Sequence, residues 1–294
     1  MINQITKDRI ATLAAHYKML VAIHENAVRQ ITIAEIPEMV YNSNAIENST
    51  LTLKDTEDIL LRDTIKKDHD IREIYEARNL AKITEDILKD SSESFNTDLI
   101  LNHHKILLSG ICDDWAGRFR SAKEWVRVGA HVGANPDFVP RLMDKLLKDY
   151  YDSGDHYFLE SIAWFHAEFE TIHPFNDGNG RIGRVLINQQ LVGLGYPPII
   201  VRGKGKHTGY YPAFDSYRIT NKYDDFTELF ASLLIESLYK RITIMTAPKI
   251  ITVSAWAKAN GVAGNIAANK ASRGTIPAFR MREKWMIAAD FAEV

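Results

Sequence analysis

Twelve consecutive residues have the composition of a reaction site: His173-Pro174-Phe175-Asn176-Asp177-Gly178-Asn179-Gly180-Arg181-Ile182-Gly183-Arg184. Histidine is the side chain most readily used as a proton acceptor near neutral pH, which makes His173 the candidate base. Asp177 offers a hard oxygen ligand for a Mg2+ that also touches substrate phosphates. The glycines allow a tight loop in which backbone N–H groups converge on an anion, and a helix starting there adds favourable partial positive charge. Arg181 and Arg184 lie three apart on the first turn of that helix, so two permanently cationic forks can reach the same side. A base, a carboxylate, an amide cradle and arginines are what phosphoryl or nucleotidyl transfer requires, because that chemistry depends mainly on positioning and charge neutralisation.

Such a loop must be set between two helices. Pro174 disfavours helical geometry at His173, which ends the preceding helix, and helical periodicity resumes near Ile182. Over Tyr157–Ile172, the residues Phe158, Ile162, Phe165, Phe169 and Ile172 share one helical face. Similar spacing runs through 7–29, 55–62, 72–89, 97–108, 138–151, 182–194 and 225–245, so the body reads as mainly α. The pattern breaks at Glu124–Gly133, where Val126, Val128, Ala130 and Val132 alternate with Trp125, Arg127, Gly129 and His131 and predict a short strand or hairpin. Pro37 sits near the start of a predicted short helix, Asn48 can take the left-handed conformation at its end, and Thr52 with Asp55 resembles a cap for the next helix.

Composition agrees with a globular protein. The chain has 294 residues, 46% hydrophobic and 25% charged, with a net charge of −2, which excludes collagen, low-complexity disorder and a disulfide-stapled miniprotein. The lone Cys112 forms no intrachain disulfide and makes no CxxC metal site. No uninterrupted apolar run reaches the ~18 residues of a membrane span, so a cytoplasmic location without a membrane partner is expected. His156 and His166 reproduce no familiar zinc-ligand spacing and read as structural. Charge is unevenly placed: residues 249–294 carry seven Lys/Arg against three acids, +4, which leaves −6 for the remainder. The basic tail is therefore expected to be a separate module.

The twelve-residue string matches His-Pro-Phe-x-[Asp/Glu]-Gly-Asn-Gly-Arg-x-x-Arg at every specified position, and by it the sequence resembles the Fic family. That resemblance implies an all-α Fic-type core with a small β-hairpin flap, acting as a protein adenylyltransferase that moves AMP from ATP to a Ser, Thr or Tyr hydroxyl. His173 would deprotonate the acceptor, Asp177 would hold Mg2+ against the phosphates, Gly178, Asn179 and Gly180 would cradle the anion, and Arg181 and Arg184 would take the outer phosphates. Local physics does not separate this from phosphate transfer, since nucleotide orientation decides which phosphorus faces His173. The intact string favours AMP transfer, because the family's phosphorylating branch departs from it.

Ser43-Asn44-Ala45-Ile46-Glu47-Asn48 resembles the family's inhibitory-helix motif, [Ser/Thr]-x-x-x-Glu-[Gly/Asn]. It implies that Glu47 pairs with Arg184 and occupies the γ-phosphate space. Glu124–Gly133 falls where Fic proteins carry their flap, which makes Val128, Gly129, Ala130 and His131 candidates for nucleotide contact and Val126–Val132 the docking place for an extended target segment. Gly117-Arg118-Phe119-Arg120 resembles the family's lead-in. Tyr210-Tyr211, preceding a helix, matches a family pair whose ring lies near the adenine, which makes Tyr211 a candidate. Self-modification and a homodimer are compatible with the family.

The tail resembles a winged helix-turn-helix module. Ser254 can cap a helix over Ala255–Asn260, a second runs from about Gly264 to Arg273, and Phe279–Met281 with Trp285–Ile287 would form the wing. Asn265, Asn269, Lys270 and Arg273 could face a DNA major groove, although +4 is modest and a protein partner fits as well. The expected division is 1–96, an N-terminal helical region with the inhibitory motif; 97–246, the catalytic core; and 249–294, the winged module. Two further readings stay open: removal of AMP from a modified protein, with Glu47 positioning water, and a DNA-binding regulator whose core senses nucleotide.

Overall fold

The structure, a computed structural model, describes every residue except Met1, Lys66, Lys67, Asp90, Ser91, Ser92, Ala130, Ser153, Asp155 and Val294. Among the described residues it is mainly helical, and the helices fall close to where the apolar periodicity places them. Helix α1 spans Gln4–Ile46, and its one non-helical residue is His24 (φ −128°, ψ 39°). Pro37 lies inside α1 rather than near the start of a separate helix. Residues 35–40 around it are all buried, so packing of that turn outweighs the hydrogen bond a proline cannot make.

Asn48 follows α1 in the left-handed conformation (φ 67°), and Thr52 starts α2, Leu53–Arg62, through a complete capping box with Asp55. The Thr52 hydroxyl accepts from the Asp55 N–H at 3.2 Å, while the Asp55 carboxylate accepts from the Thr52 N–H at 3.1 Å. Helices α3 (Ile71–Lys89) and α4 (Thr97–Leu108) come next. The predicted break is a hairpin of β1 (Arg127–Val128) and β2 (His131–Val132), antiparallel with Val128 opposite His131. Helices α5 (Val139–Asp152), α6 (Phe158–Ile172), α7 (Asn179–Gly193), α8 (Tyr210–Thr220) and α9 (Asp224–Thr246) complete this region. Tyr210 and Tyr211 are the first two residues of α8 rather than its lead-in.

Two compact units emerge: Glu35–Leu194 with Ile200–Leu229, and Ile2–Ala34 with Gly195–Ile199 and Phe230–Val294. In the first, Phe165, Phe169 and Ile172 of α6 pack with Ile182 and Leu186 of α7, Ile83 of α3, Leu107 of α4 and Met143 of α5. That core clamps the two helices between which the candidate loop is strung.

In the second unit, β3 (Ile250–Thr252) leads into α10 (Val253–Ala259) and α11 (Gly264–Ser272), followed by a hairpin of β4 (Phe279–Met281) and β5 (Lys284–Ala288). The sheet order is β3-β5-β4. Thr252, not Ser254, caps α10, its hydroxyl accepting from the Ala255 N–H at 3.2 Å. Pairing of β3 with β5 holds Thr252 extended immediately before the helix, which is the geometry a cap needs. Trp256, Ala267, Ala271 and Ile287 form a small core here. Among the described residues no helix is long and apolar enough to cross a membrane.

Candidate active site

Helix α6 ends at Ile172, and His173 takes the left-handed conformation (φ 53°, ψ 65°) while its N–H still reaches the Phe169 carbonyl at 2.9 Å. Proline at 174 bars continuation of the helix, and histidine is among the residues that tolerate this φ. The carbonyls freed at that end are collected by Arg120. Its guanidinium donates to the carbonyls of His173 at 2.7 Å and Ile172 at 3.1 Å, and to that of Ala134. Its own N–H reaches the Pro174 carbonyl at 3.0 Å. A buried arginine thus fixes the His173 corner, a cation where a helix dipole favours one.

The loop then closes on itself. Asn179 accepts from the Phe175 N–H at 2.8 Å and donates to the Phe175 carbonyl at 2.9 Å, so its side chain staples the loop and only its backbone is left for an anion. Beneath it His104 stacks on Phe175 with ring centroids 3.7 Å apart. Its Nε2 lies 3.1 Å from the Asp177 carbonyl, and its Nδ1 accepts from the Gly117 N–H at 3.2 Å. This pattern assigns the proton to Nε2, a neutral ring, and burial pushes the imidazole down to about 4.

Gly178 caps α7 at φ 80°, and a side chain there would meet Leu107 at 2.8 Å. The first-turn amides of α7 therefore point out of a short, rigid corner. At Gly180 a Cβ would lie 2.3 Å from Glu47 Oε1 and 3.0 Å from Arg184 Nη1, so glycine keeps open the space that Glu47 enters. Arg184 Nη2 donates to Glu47 Oε1 at 2.8 Å and to the Ser43 carbonyl at 2.9 Å, and Nε donates to the Ser43 hydroxyl at 3.0 Å. Burial works against the Arg184 charge, but the Glu47 carboxylate more than offsets it and raises its affinity for a proton.

Arg181 is engaged elsewhere. Its Nη1 lies 2.8 Å from Glu76 and its Nη2 3.1 Å from Asp177 Oδ1, while Arg72 of α3 pairs with the other Asp177 oxygen. Burial alone would raise the Asp177 pKa, but Arg181 and Arg72 hold it below the ordinary carboxylate value. A base, a carboxylate, an amide cluster and two arginines therefore share one corner, with Glu47 laid against one arginine.

Residues 94–191 match the family model described as Fic/DOC. These residues are a Fic/DOC domain. Two relatives, each named protein adenylyltransferase Fic, are similar in sequence. The one from Nematostella vectensis is 35% identical over 177 residues, 58% of this chain and 41% of its own length. The one from Drosophila willistoni is 31% identical over 218 residues, 72% of this chain and 43% of its own. The chain thus spans under half the length of these relatives. A Fic domain containing signaling protein from Bacteroides thetaiotaomicron superposes with a TM-score of 0.72 at 25% identity, covering 81% of this chain and 96% of that one. The fold is the mainly α Fic fold.

Beside the Fic loop, the hairpin leaves Val128 and Val132 exposed and turns at Gly129 (φ 58°); Ala130 lies outside the described residues. His131 sends Nε2 to the Thr171 carbonyl at 2.9 Å, which anchors the hairpin to α6. Tyr211 donates its hydroxyl to the Ile46 carbonyl at 2.8 Å, at the end of α1. Lys206 joins it there, donating to the carbonyls of Ala45 at 3.1 Å and Ile46 at 2.8 Å and to Asn48 Oδ1 at 2.8 Å. In the second unit, α11 and its C-cap leave Asn265, Asn269 and Arg273 exposed, and Lys270 pairs with Glu293.

Sequence reading missed four residues that the structure brings to the site: Arg72, His104, Lys206 and Glu170. It also left Arg120 without a role. Only Glu170 carried a local signal, because His166, Glu170 and His173 recur at i, i+4 and i+7 on one helical face.

Proposed function

We propose that the chain is a protein adenylyltransferase that transfers AMP from ATP to a Ser, Thr or Tyr hydroxyl of a target protein and is restrained by Glu47. The observation that carries this reading is the convergence of His173, Asp177 and the first turn of α7 in one short loop of a Fic domain. The names of its relatives support it.

The donor set suits Mg2+. Asp177 is a hard carboxylate that Arg181 and Arg72 keep ionised, and the cradle over Gly180 is one that a Cβ would fill. Bound between Asp177 and the phosphates, Mg2+ would neutralise their charge. The chain's own residues do the rest. The α7 amides bind phosphate oxygens, and Arg184 takes an outer phosphate once Glu47 has left it. His173 Nε2 accepts the hydroxyl proton as the hydroxyl oxygen attacks the α-phosphorus. The bond from that phosphorus to the oxygen bridging the β-phosphate breaks, and pyrophosphate departs. The hairpin edge at Val126–Val132 would hold an extended target segment by main-chain hydrogen bonds.

Residues 249–294 fit a winged helix-turn-helix module for a DNA or protein partner, the second favoured by the modest charge and the engagement of Lys270 by Glu293. The test of the activity is incubation of lysate with α-labelled ATP and the Glu47→Gly protein. Label entering protein, and lost with His173→Ala, is expected. Release of AMP from a modified target by the unsubstituted chain, with no transfer by Glu47→Gly, would overturn it.

A further inference from the structure

Glu170 is a buried carboxylate on α6, whose buried residues include the apolar Ile162, Phe165 and Phe169 beside Glu160 and His166. It is 7% exposed. Its Oε2 lies 3.5 Å from His173 Nδ1, while Oε1 has no hydrogen-bond partner. A buried carboxylate is costly unless something needs its charge. The chain also makes space for it: at Gly183 a Cβ would come within 2.4 Å of Glu170 Oε1. Position 183 is one of the three unspecified places in the twelve-residue signature, so glycine there answers to Glu170 rather than to the phosphate cradle.

The charged and titratable groups facing Glu170 come from several elements. They are His166 on α6, His173 at its C-cap, Arg184 on α7, His131 on β2, and Tyr210 and Tyr211 on α8. Burial favours the protonated acid, but contact with His173 and the nearby Arg184 charge hold Glu170 below its ordinary pKa. Arg184 is held by Glu47 and Ser43, and His166 Nε2 lies 2.9 Å from the Tyr210 hydroxyl. His173 is the partner within reach of a carboxylate oxygen.

We propose that Glu170 is a positioning residue for His173, its Oε2 accepting from Nδ1–H so that the ring presents an unprotonated Nε2 to the acceptor hydroxyl. The inference rests on the reading of His173 as the base. Fixing Nδ1 as the protonated nitrogen selects the useful tautomer, and the carboxylate stabilises the imidazolium that forms when Nε2 takes the proton. A contact of 3.5 Å shortens to hydrogen-bond length as that charge develops, as catalytic contacts in unliganded sites do.

The test uses the full chain carrying Glu47→Gly, alone and with Glu170→Gln or Glu170→Leu. Ring-nitrogen NMR at pH 8, with His173 assigned through His173→Ala, should show the Nδ1–H tautomer in the parent and the Nε2–H form in both variants. The kcat for AMP transfer should fall about tenfold in Glu170→Gln and about a hundredfold in Glu170→Leu, with the KM for ATP within twofold of the parent. An unchanged tautomer in Glu170→Gln overturns the proposal, and that near-isosteric variant decides the matter if Glu170→Leu does not fold. If no protein in the series transfers AMP, the adenylyltransferase reading fails while the tautomer measurement still judges Glu170.

Discussion

Arg184 and Glu47, 137 residues apart in sequence, meet at 2.8 Å through Nη2 and Oε1. The arginine is buried and also held by Ser43, so the pair closes the cradle over Gly180. Charge-assisted contacts of this kind are the stronger class of hydrogen bond. Glu47→Gly should raise the rate of AMP transfer about a hundredfold, equivalent to roughly 2.7 kcal/mol, measured with labelled ATP. No gain would show that Glu47 does not restrain the site.

Lys206 and Tyr211 secure the carbonyl end of α1 immediately before Glu47, with three contacts from Lys206 Nζ and one from the Tyr211 hydroxyl. A lysine at a helix C-terminus satisfies orphan carbonyls and suits the dipole. Lys206→Met should therefore loosen Glu47 and raise transfer about tenfold. The same substitution added to Glu47→Gly should bring no further gain, since the latch then holds nothing. Additive gains in the double variant would place Lys206 on a separate effect.

Two buried histidines set an acid limit. Burial lowers both His104 and His166 from 6.5 to about 4. Between those values the unfolded chain binds more protons than the folded one, so stability rises with pH across this window. It is fully present above about pH 6.5 and is lost as pH falls through about 4. The urea midpoint should drop between pH 7 and pH 5, and His104→Asn should show a shallower drop. An equal drop in that variant would clear His104 of the effect.

The legible part of the site is the part whose residues act on their neighbours. Pro174 stops α6 one residue early, Gly178 supplies the left-handed cap of α7, and Thr52 with Asp55 closes a box within four residues, so each follows from local backbone demands. Arg120 reaches His173 across 53 residues, His104 reaches Asp177 across 73, and Lys206 reaches Ile46 across 160. Nothing in the flanking sequence of these three marks their targets, because tertiary packing alone brings them together. Thr252 illustrates a smaller loss: two cap-competent hydroxyls lie two residues apart, and a strand pairing in the second unit selects the first.

Arg72 shows what a long-range contact adds to the chemistry. It reaches Asp177 from α3, is about half exposed, and is also held by Glu76, with Nε 3.0 Å from Oε1. A cation entering at Asp177 has to displace the guanidinium from that oxygen. An ion pair this exposed is worth no more than about 1 kcal/mol, so removing it should tighten metal binding by about fivefold. Arg72→Ala should show that gain for Mn2+ in the presence of ADP, followed by electron paramagnetic resonance of the free ion, and Asp177→Asn should lose binding. Weaker Mn2+ binding in Arg72→Ala would instead make Arg72 a phosphate ligand, a second cation recruited to the nucleotide from outside the twelve-residue loop.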